Sequence, residues 1–447
     1  MSSGPSSPKP TGNRNAGMSH AWRALRHRNF RLFFGGQSIS LIGTWMTRVA
    51  TSWLVYRLTK SSLLLGTVGF AGQIPTFLLA PFAGVIVDRM DGRQVLVWTQ
   101  ALAMVQSLVL AWLTLSHRVN IAEILVLSAF QGVINAFDMP GRQSFMIRMV
   151  ESREDLSNGI AINSSMVNMA RLIGPSLAGL VIAATNEGWC FFIDGVSYIA
   201  VIASLLMMRL APEQKHHGAG MVGQLKQGWV YVAESRPIRS ILLLFALVSL
   251  MGWPFTVLMP IFAAQVLGGG PHTLGFLMGA VGVGSLLSAL TLVVRKTVRG
   301  LLKVIPIGAG IFGIGLMAFG LSRNLWLSMA MMFVTGFGMM QGLTTSNTIL
   351  QTLVDEKMRG RVMSYYTMAF VGMAPFGSLL AGAMAHALGA PRTVIISGVA
   401  CMLGGLLFWS RMPSIRKDMR PIYEKLGIVP RRESTLEETL LDEEARN

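Results

Sequence analysis

Charged residues and cysteines are scarce in this sequence. Asp, Glu, Lys and Arg make up 13% of its 447 residues, hydrophobic residues make up 52%, and Cys190 and Cys401 are its two cysteines. Their spacing predicts neither a disulfide nor a metal site. The sequence also shows no phosphate-binding glycine loop, no cluster of metal ligands and no nucleophile–base pair. These absences argue against an enzyme and against ATP as the energy source, and we expect no metal and no cofactor.

Long apolar stretches, in contrast, recur along the whole chain. A run of about 18 or more apolar residues is long enough to cross the hydrocarbon core of a bilayer as a helix. The sequence therefore predicts an all-α membrane protein with twelve transmembrane spans. The predicted spans are 31–56, 63–87, 94–116, 121–143, 159–184, 189–209, 238–266, 273–294, 301–321, 325–352, 361–386 and 391–410.

The net charge of +17 is unevenly distributed along the chain. The odd-numbered connections between spans hold Arg57, Lys60, Arg118, Arg323 and Arg392, while Arg48 and Arg171 lie inside spans. All other Lys and Arg residues lie in the two tails, in the even-numbered connections or at the span ends that adjoin them. Because cytoplasmic loops are enriched in Lys and Arg, both termini are expected in the cytoplasm. The basic charge is thus a topology signal, and we expect no nucleic-acid partner.

The chain is predicted to contain five parts. The longest internal connection, 210–237, divides six spans from six, and its segment 224–232 is amphipathic enough to lie along the inner membrane surface. The parts are a disordered N-terminal tail (1–20), a six-helix bundle (21–209), a cytoplasmic linker (210–237), a second six-helix bundle (238–410) and a cytoplasmic tail (411–447).

The two halves also resemble each other in sequence. Leu65-Gly66 opens the second span, and Leu274-Gly275 opens the eighth span in the same way. The segment 174–179 of the fifth span begins and ends with glycine, as does 377–382 of the eleventh. Two matches at nearly the same offset indicate a duplicated unit of six spans. Parallel repeats of this kind are known in transporters whose binding site lies at the midplane between the halves.

The second span ends on a short charged turn. Gly84-Val85-Ile86-Val87-Asp88-Arg89 leads into a loop that ends at Arg93. This region resembles the loop between helices 2 and 3 of the major facilitator superfamily. The resemblance implies that Gly84 permits close helix contact, that Asp88 caps a facing helix, and that Arg89 and Arg93 lock one transport state. Two positions depart from the family pattern, Asp91 and Gly92.

Four further segments resemble particular members of the superfamily. Arg171-Leu172-Ile173-Gly174-Pro175-Ser176-Leu177-Ala178-Gly179 resembles the Gly-Pro motif of exporting, proton-antiporting members, which implies a bent, closely packed fifth helix and favours export over uptake. The segments 138–143 (Asp-Met-Pro-Gly-Arg-Gln), 43–46 (Gly-Thr-Trp-Met) and 359–362 (Arg-Gly-Arg-Val) resemble the bacterial branch that contains enterobactin exporters and macrolide efflux pumps, also called transmembrane secretion effectors.

Polar residues inside the spans are costly and need a reason. One helical face of the first span carries Gln37, Thr44, Arg48 and Thr51. This stripe is expected to face a transport path, although Arg48 could instead extend towards the outer membrane surface. A second stripe, on the fourth span, carries Glu123, Gln131, Asp138 and Arg142.

Different roles are expected for the ionisable residues Asp138 and Arg142 of the second stripe, Arg171 of the fifth span and Asp194 of the sixth span. Asp138 and Arg142, four residues apart, can form an ion pair that belongs to a gate. Arg171 requires a nearby acid or water. Asp194 is either a proton carrier or a hydrogen-bonded structural acid.

Together these features predict a secondary active transporter. The leading interpretation is a proton-coupled exporter of a small amphipathic molecule, such as a siderophore, a macrolide or another drug, in the bacterial cytoplasmic membrane. A lysophospholipid or other lipid transporter is an alternative, and a non-transporting receptor or assembly partner with the same fold is another. The expected partners are the small-molecule substrate and the lipid bilayer, and the protein is expected to function as a monomer.

Overall fold

The computed structural model describes residues 23–149, 153–209, 221–293, 300–356, 358–426 and 428. The predicted tail 1–20, the start of the linker (210–220) and most of the acidic C-terminal tail lie outside these residues. Within them, the chain forms helices joined by short turns, and these residues include no β-strand. The predicted all-α class is therefore confirmed.

Six long helices make up the N-terminal half, after a 3₁₀ turn at Arg23–Arg26. Polar side chains start several of them: Ser61, Asp91 and Asn186 each accept a hydrogen bond from the first turn of the helix that follows. The helices are α1 (Arg28–Thr59), α2 (Ser62–Arg89), α3 (Gly92–Leu115), α4 (Ile121–Met149), α5 (Arg153–Ala184) and α6 (Glu187–Met207).

The C-terminal half begins with the amphipathic helix α7 (Met221–Glu234), at the place where the sequence predicts one. The predicted seventh span consists of α8 (Arg236–Leu247) and α9 (Phe255–Ile261), with π-helical turns at Val248–Gly252 and Phe262–Val266. The remaining helices are α10 (Pro271–Val293), α11 (Leu301–Leu321), α12 (Leu325–Leu353), α13 (Arg359–Phe370), α14 (Ala374–Leu388) and α15 (Ala390–Lys425).

Two predicted boundaries in this half are wrong. The predicted span 361–386 is broken between α13 and α14, just before Pro375. The predicted span 391–410 continues helically to Lys425. Beyond position 410 the helix is no longer uniformly apolar, but Met412, Ile415 and Met419 recur at helical spacing and are buried against the neighbouring helices. Packing of this one face extends the helix past the apolar stretch.

Eleven segments of the described chain are long and apolar enough to cross a membrane. They correspond to α2, α3, α4, α5, α6, α8 with α9, α10, α11, α12, α13 with α14, and α15. Helix α1 is also long, with 32 residues, but polar residues such as Gln37, Thr44 and Arg48 lower its mean hydropathy. The chain is thus a multi-pass membrane protein.

Helix contacts follow one pattern in both halves. In the N-terminal half α1 packs against α5 and α6, α2 against α4, and α3 against α4 and α6. In the C-terminal half α8 packs against α15, α10 against α12, and α11 against α12 and α15. Between the halves, the main contacts are those of α2 with α14 and of α5 with α10. The structural repeat therefore agrees with the repeat in the sequence.

The buried apolar residues reveal how the halves are joined. We call the side that carries Arg23, α7 and the end of α15 the tail side, and the opposite side the far side. One large cluster on the far side combines residues of both halves, among them Leu54, Ala178, Leu274 and Ala381. On the tail side, two separate clusters belong to one half each. The apolar core is continuous on the far side and divided on the tail side.

Candidate functional site

Two pairs of glycines connect the halves near the far side. A Cβ atom on Gly66 of α2 would lie 2.9 Å from the Cα atom of Gly382 on α14. A Cβ atom on Gly275 of α10 would lie 3.0 Å from the Cα atom of Gly179 on α5. Helix backbones approach this closely only where both residues lack a side chain. Equivalent glycines of the sequence repeat thus make equivalent contacts, which we call the glycine crossings.

The tail side is organised differently. Helix α2 packs along α14, but in the described chain it makes no comparable contact with α13, the tail-side part of the same broken helix. Ile86, three residues from the tail-side end of α2, and Met368, about 14 Å from the tail-side end of α13, are exposed. With the apolar clusters also divided there, the molecule is closed on the far side and open on the tail side.

Arg48 is accessible from inside this arrangement. From residue 40 to residue 56, all of which are described, Arg48 is the only exposed residue of α1. The adjacent faces of the helix are covered, since Gly43 lies against Asp194 of α6 and Trp45 lies against Gly174 of α5. A long side chain that is exposed on an otherwise enclosed helix borders an internal opening. The placement agrees with the predicted transport path for Arg48 but leaves its role untested.

The Trp45 indole interacts with two cations. The guanidinium carbon of Arg48 lies 4.8 Å from the ring centroid, and that of Arg171 on α5 lies 5.3 Å from it. Both distances fall in the range of cation–π attraction. The close approach of α5 that brings Arg171 here depends on Gly174, because a Cβ atom at that position would lie 2.9 Å from the carbonyl oxygen of Ile42.

Asp194 lies in the same region and is buried. Its Oδ2 atom accepts hydrogen bonds from the hydroxyls of Thr47 (2.9 Å) and Ser107 (3.0 Å), which tie α6 to α1 and α3. Its Oδ1 atom is buried without a hydrogen-bond partner among the described residues. Half of the carboxyl group is therefore structurally engaged and the other half is free to bind a proton or water.

Asp138 and Arg142 form the ion pair that their spacing predicts. Arg142 donates to Oδ2 of Asp138, and Oδ1 of Asp138 accepts hydrogen bonds from Thr99 (3.0 Å) and Gln100 (2.7 Å). Both partners outside the pair belong to α3, so the pair holds α4 against α3 within the N-terminal half. Gln131, about two turns before Asp138 on α4, donates a hydrogen bond to Asn135 of the same helix.

The charged turn after α2 makes local contacts. Asp91 is the N-cap of α3 and accepts a hydrogen bond from the amide of Arg93, which gives this departure from the family pattern a structural purpose. The guanidinium of Arg93 donates to the carbonyl oxygen of Leu206 at the end of α6. Arg89 is exposed, and Gly84 has no atom within 4 Å of an added Cβ. The side chain of Asp88 lies outside the described part.

The remaining predicted residues are dispersed. Gln37 is only 2% exposed, so it is buried and does not border the opening. Thr44 donates to the carbonyl oxygen of Ser40, and Thr51 is half-buried. The described residues contain no group of His, Cys, Asp and Glu that could hold a metal ion.

Sequence reasoning does not identify Trp45, Thr47 or Ser107 as site residues. Trp45 belongs to a segment that carries the family resemblance, and its position three residues before Arg48 was the available signal. The two hydroxyl residues carry no such signal, because Ser and Thr within helices most often bond to their own backbone.

Comparisons with known proteins agree with this architecture. Residues 19–428 match a family model described as transmembrane secretion effector. The chain is 24% identical to a staphyloferrin A transporter of Staphylococcus aureus, over 85% of this chain and 95% of that protein. It is 22% identical to the multidrug efflux pump Tap of Mycolicibacterium fortuitum (82% and 91% covered) and 20% identical to macrolide efflux protein A of Streptococcus pyogenes (83% and 94% covered).

Solved structures support the fold independently. A bacterial homologue of the human lysosomal transporter Spinster, in an inward-facing and occupied conformation, superimposes with a TM-score of 0.69. The match covers 87% of this chain and 97% of that chain at 13% sequence identity. At this identity the likeness concerns the fold alone.

Proposed function

Because the chain belongs to the transmembrane secretion effector family of the major facilitator superfamily, whose members are transporters and not enzymes, we propose that it is a secondary active exporter. Its substrate would be a small amphipathic molecule such as a siderophore, a macrolide or another drug. A proton gradient, without a further cofactor, would supply the energy. The names of two similar proteins, a multidrug efflux pump and a macrolide efflux protein, support export over uptake.

The proposed arrangement in the membrane has twelve spans in two bundles of six. Helix α1, which is the first span in chain order, completes the twelve despite its lower hydropathy, since it packs against α5 and α6. The basic tails and even-numbered connections favour a cytoplasmic location of both termini, so that the tail side faces the cytoplasm of a bacterial cell. One chain provides both halves of the opening, which favours a monomer as the functional unit.

Alternating access is the proposed mechanism, and the divided apolar core carries the proposal. A core that is continuous on the far side and split on the tail side corresponds to one of two states of a pair of rocking halves. In the other state the tail side would close, with Asp88, Arg89 and Arg93 as its predicted lock, while the glycine crossings separate. The repeat of these crossings supports rocking about the boundary between the halves.

Asp194 is the proposed proton carrier. It is buried next to Thr47 and Ser107, and its Oδ1 atom has no hydrogen-bond partner in the described chain. A carboxyl group in this position can be protonated without loss of the hydrogen bonds to Oδ2. Arg48, the residue after Thr47 on α1, interacts electrostatically with Asp194. Substrate binding at Arg48 can therefore be linked to protonation of Asp194.

Transport into inverted membrane vesicles tests the function. With an imposed pH gradient, acid inside, vesicles that contain the protein should accumulate at least one compound of a panel of siderophores, macrolides, dyes and lysophospholipids. Dissipation of the gradient with an ionophore should abolish the accumulation. Accumulation of lysophospholipids alone would favour the lipid-transporter alternative. Absence of any gradient-dependent movement by a correctly inserted protein would contradict the proposal.

Cysteine labelling tests the proposed orientation separately. In intact cells, a membrane-impermeant reagent should label single cysteines at Lys60, Asn186 and Gly269, which belong to odd-numbered connections. A cysteine at Gly218 in the linker should react only after the membrane is opened. External labelling at position 218 would reverse the topology.

A further inference from the structure

Two arginines near the centre of α1 and α5 form no ion pair within 4.0 Å among the described residues. The Nε and Nη1 atoms of Arg171 are buried without a hydrogen-bond partner among the described residues. Arg48 likewise forms no hydrogen bond and no ion pair within 4.0 Å in the described part of the chain, and its guanidinium lies over the Trp45 ring. Cation–π attraction compensates only part of the desolvation of a guanidinium, because the indole cannot accept its N–H groups in the plane of the fork.

Among the described residues, the two nearby acids form no ion pair with either arginine. Asp138 is paired with Arg142, and Oδ2 of Asp194 is held by two hydroxyls. Even with Asp194 ionised, Arg48 and Arg171 together leave one excess positive charge in the middle of the N-terminal half. Such a charge within a membrane-spanning bundle needs compensation, which water in the opening or a bound anion can supply.

The two guanidinium groups are close enough to act on one ligand. Their distances from the Trp45 centroid place the two guanidinium carbons at most about 10 Å apart. One of them, Arg48, is exposed at the internal opening, and the other has free donors. Guanidinium groups present paired N–H donors that match the oxygens of carboxylates and phosphates.

Access to this position is from the tail side. Arg48 is eleven residues from the far-side end of α1, which corresponds to about 17 Å, whereas Gly66 is only about 6 Å from the far-side end of α2. The arginine therefore lies deeper than the glycine crossings that close the far side. A ligand that enters from the tail side reaches Arg48 without passing them.

We propose that Arg48, Trp45 and Arg171 form a binding site for an oxyanion, such as a carboxylate, carried by the amphipathic molecule that the protein transports. The inference rests on the proposed function and specifies its substrate class. The apolar part of such a molecule suits the C-terminal half, where no Asp, Glu, Lys or Arg occurs between Arg239 and Arg295 or between Arg361 and Arg392.

Probes that share one apolar body but differ in the charge of their head group test the oxyanion site by binding measurements alone. The purified protein, in nanodiscs of phosphatidylcholine, is titrated with dansylamino-undecanoic acid, with its methyl ester and with the corresponding dansylated amine. The acid should bind at least about tenfold more tightly than the ester, as expected for loss of a charge-assisted hydrogen bond. The amine should bind more weakly still. Equal affinities for acid and ester would overturn the proposal.

Substitutions assign the preference to particular residues. Arg48→Gln should weaken binding of the acid about tenfold or more and leave binding of the ester unchanged, and Arg48→Lys should restore only part of it. Arg171→Gln should have the same direction of effect if the variant remains monodisperse. The matched control is Arg323→Gln, since Arg323 is exposed in a far-side turn and donates only to nearby carbonyl oxygens. Unchanged affinity of folded Arg48→Gln for the acid would overturn the proposal.

Two further measurements identify the source of the oxyanion and distinguish failure of the oxyanion site from failure of the exporter proposal. Displacement of the acid probe by phosphatidylglycerol would support the site and identify a lipid headgroup as one source. In inverted vesicles, export of cationic and neutral compounds, without acidic ones, would overturn the oxyanion site and leave the exporter proposal intact. Acid-selective binding without any transport would support the site and contradict the exporter.

Discussion

The two halves of the molecule share one pattern of helix contacts but differ in their chemistry. Arg48, Asp138, Arg142, Arg171 and Asp194 all lie within predicted spans of the N-terminal half. Its six helices are also continuous. The C-terminal half has no Asp, Glu, Lys or Arg from 240 to 294, from 304 to 322 or from 324 to 354, and two of its predicted spans are interrupted.

The interruptions of the C-terminal half lie close together. The π-helical turn Val248–Gly252 is joined to the break between α13 and α14, because the hydroxyl of Ser249 donates to the carbonyl oxygen of Phe370. Aromatic rings line the same region: Phe370 lies 5.0 Å from Phe245 and 4.9 Å from Trp253, centroid to centroid. The comparison suggests a division of roles, in which the N-terminal half recognises charge and the C-terminal half provides an apolar surface and adjusts its shape.

The largest expected effect on transport comes from the glycine crossings, to which both halves contribute equivalent residues. A valine at Gly66 would place its Cβ atom 2.6 Å from the carbonyl oxygen of Ser378, and overpacking of this kind costs about 1–3 kcal/mol. Gly66→Val and Gly275→Val should therefore both open the far side and reduce transport about tenfold or more. Efflux assays and labelling of a far-side cysteine measure the two consequences.

Gly310→Val is the matched control for this prediction. Gly310 lies within α11, and an added Cβ there meets no atom within 4 Å. The control should transport normally. A loss of transport in Gly66→Val with normal transport in Gly275→Val would show that the two crossings are not equivalent.

The next effect concerns the N-terminal half alone. Asp194→Asn keeps a side chain of the same shape beside Thr47 and Ser107 but cannot release a proton. If one proton is exchanged for each neutral substrate molecule, a gradient of one pH unit supports about tenfold accumulation of the substrate. This gradient-driven accumulation should disappear in Asp194→Asn, while exchange of labelled for unlabelled substrate should persist. Gradient-driven accumulation by the variant would assign the proton to another group.

A smaller effect is expected from the buried ion pair of α4. Asp138→Asn removes the charge that faces Arg142 and weakens the bonds from Thr99 and Gln100. The variant should lose about 1–3 kcal/mol of stability, measured as a lower Tm in detergent. The double variant Asp138→Asn with Arg142→Gln should recover part of it, because no unpaired cation remains. No recovery would mean that Asp138 contributes mainly through α3.

The smallest effect is expected in the linker helix α7. The hydroxyl of Tyr231 donates to Asp355 at the end of α12 over 3.3 Å, and burial raises the pKa of this tyrosine above its ordinary value. The hydroxyl therefore stays protonated throughout the neutral pH range, and its contribution to stability is lost only as the pH rises above the ordinary pKa of tyrosine. Tyr231→Phe should cost about 0.5–1 kcal/mol, a small change in Tm.

The sequence predicted the helical class and most helices because long apolar runs have few alternatives to membrane-spanning helices. It also predicted the Asp138–Arg142 pair, since a spacing of four residues places both side chains on one helix face. It missed the end of α15, where packing of Met412, Ile415 and Met419 continues the helix beyond the apolar run. It also missed the break in the eleventh span, although Pro375 marks its place.

The candidate site was harder to predict than the fold. A helical face identifies which residues share a direction, but it does not show what lies opposite them. Gln37 shares a face with Arg48, yet Gln37 is buried and Arg48 is exposed, because burial depends on which neighbouring helices cover each turn of α1. The Arg48–Trp45–Arg171 cluster depends on the contact of α5 with α1, which is a tertiary feature without a local sequence pattern.

The distance between the halves on the tail side tests alternating access most directly. Spin labels at Ile86→Cys on α2 and Met368→Cys on α13 occupy exposed positions, and the native Cys190 and Cys401 are buried. Pulsed electron paramagnetic resonance should give a longer distance in the otherwise unaltered protein than in the same protein with Gly66→Val and Gly275→Val. The shorter distance is expected because a far side that cannot close should drive the tail side to close. Identical distance distributions, in variants whose far side is shown to be open, would contradict coupled opening and closing of the two sides.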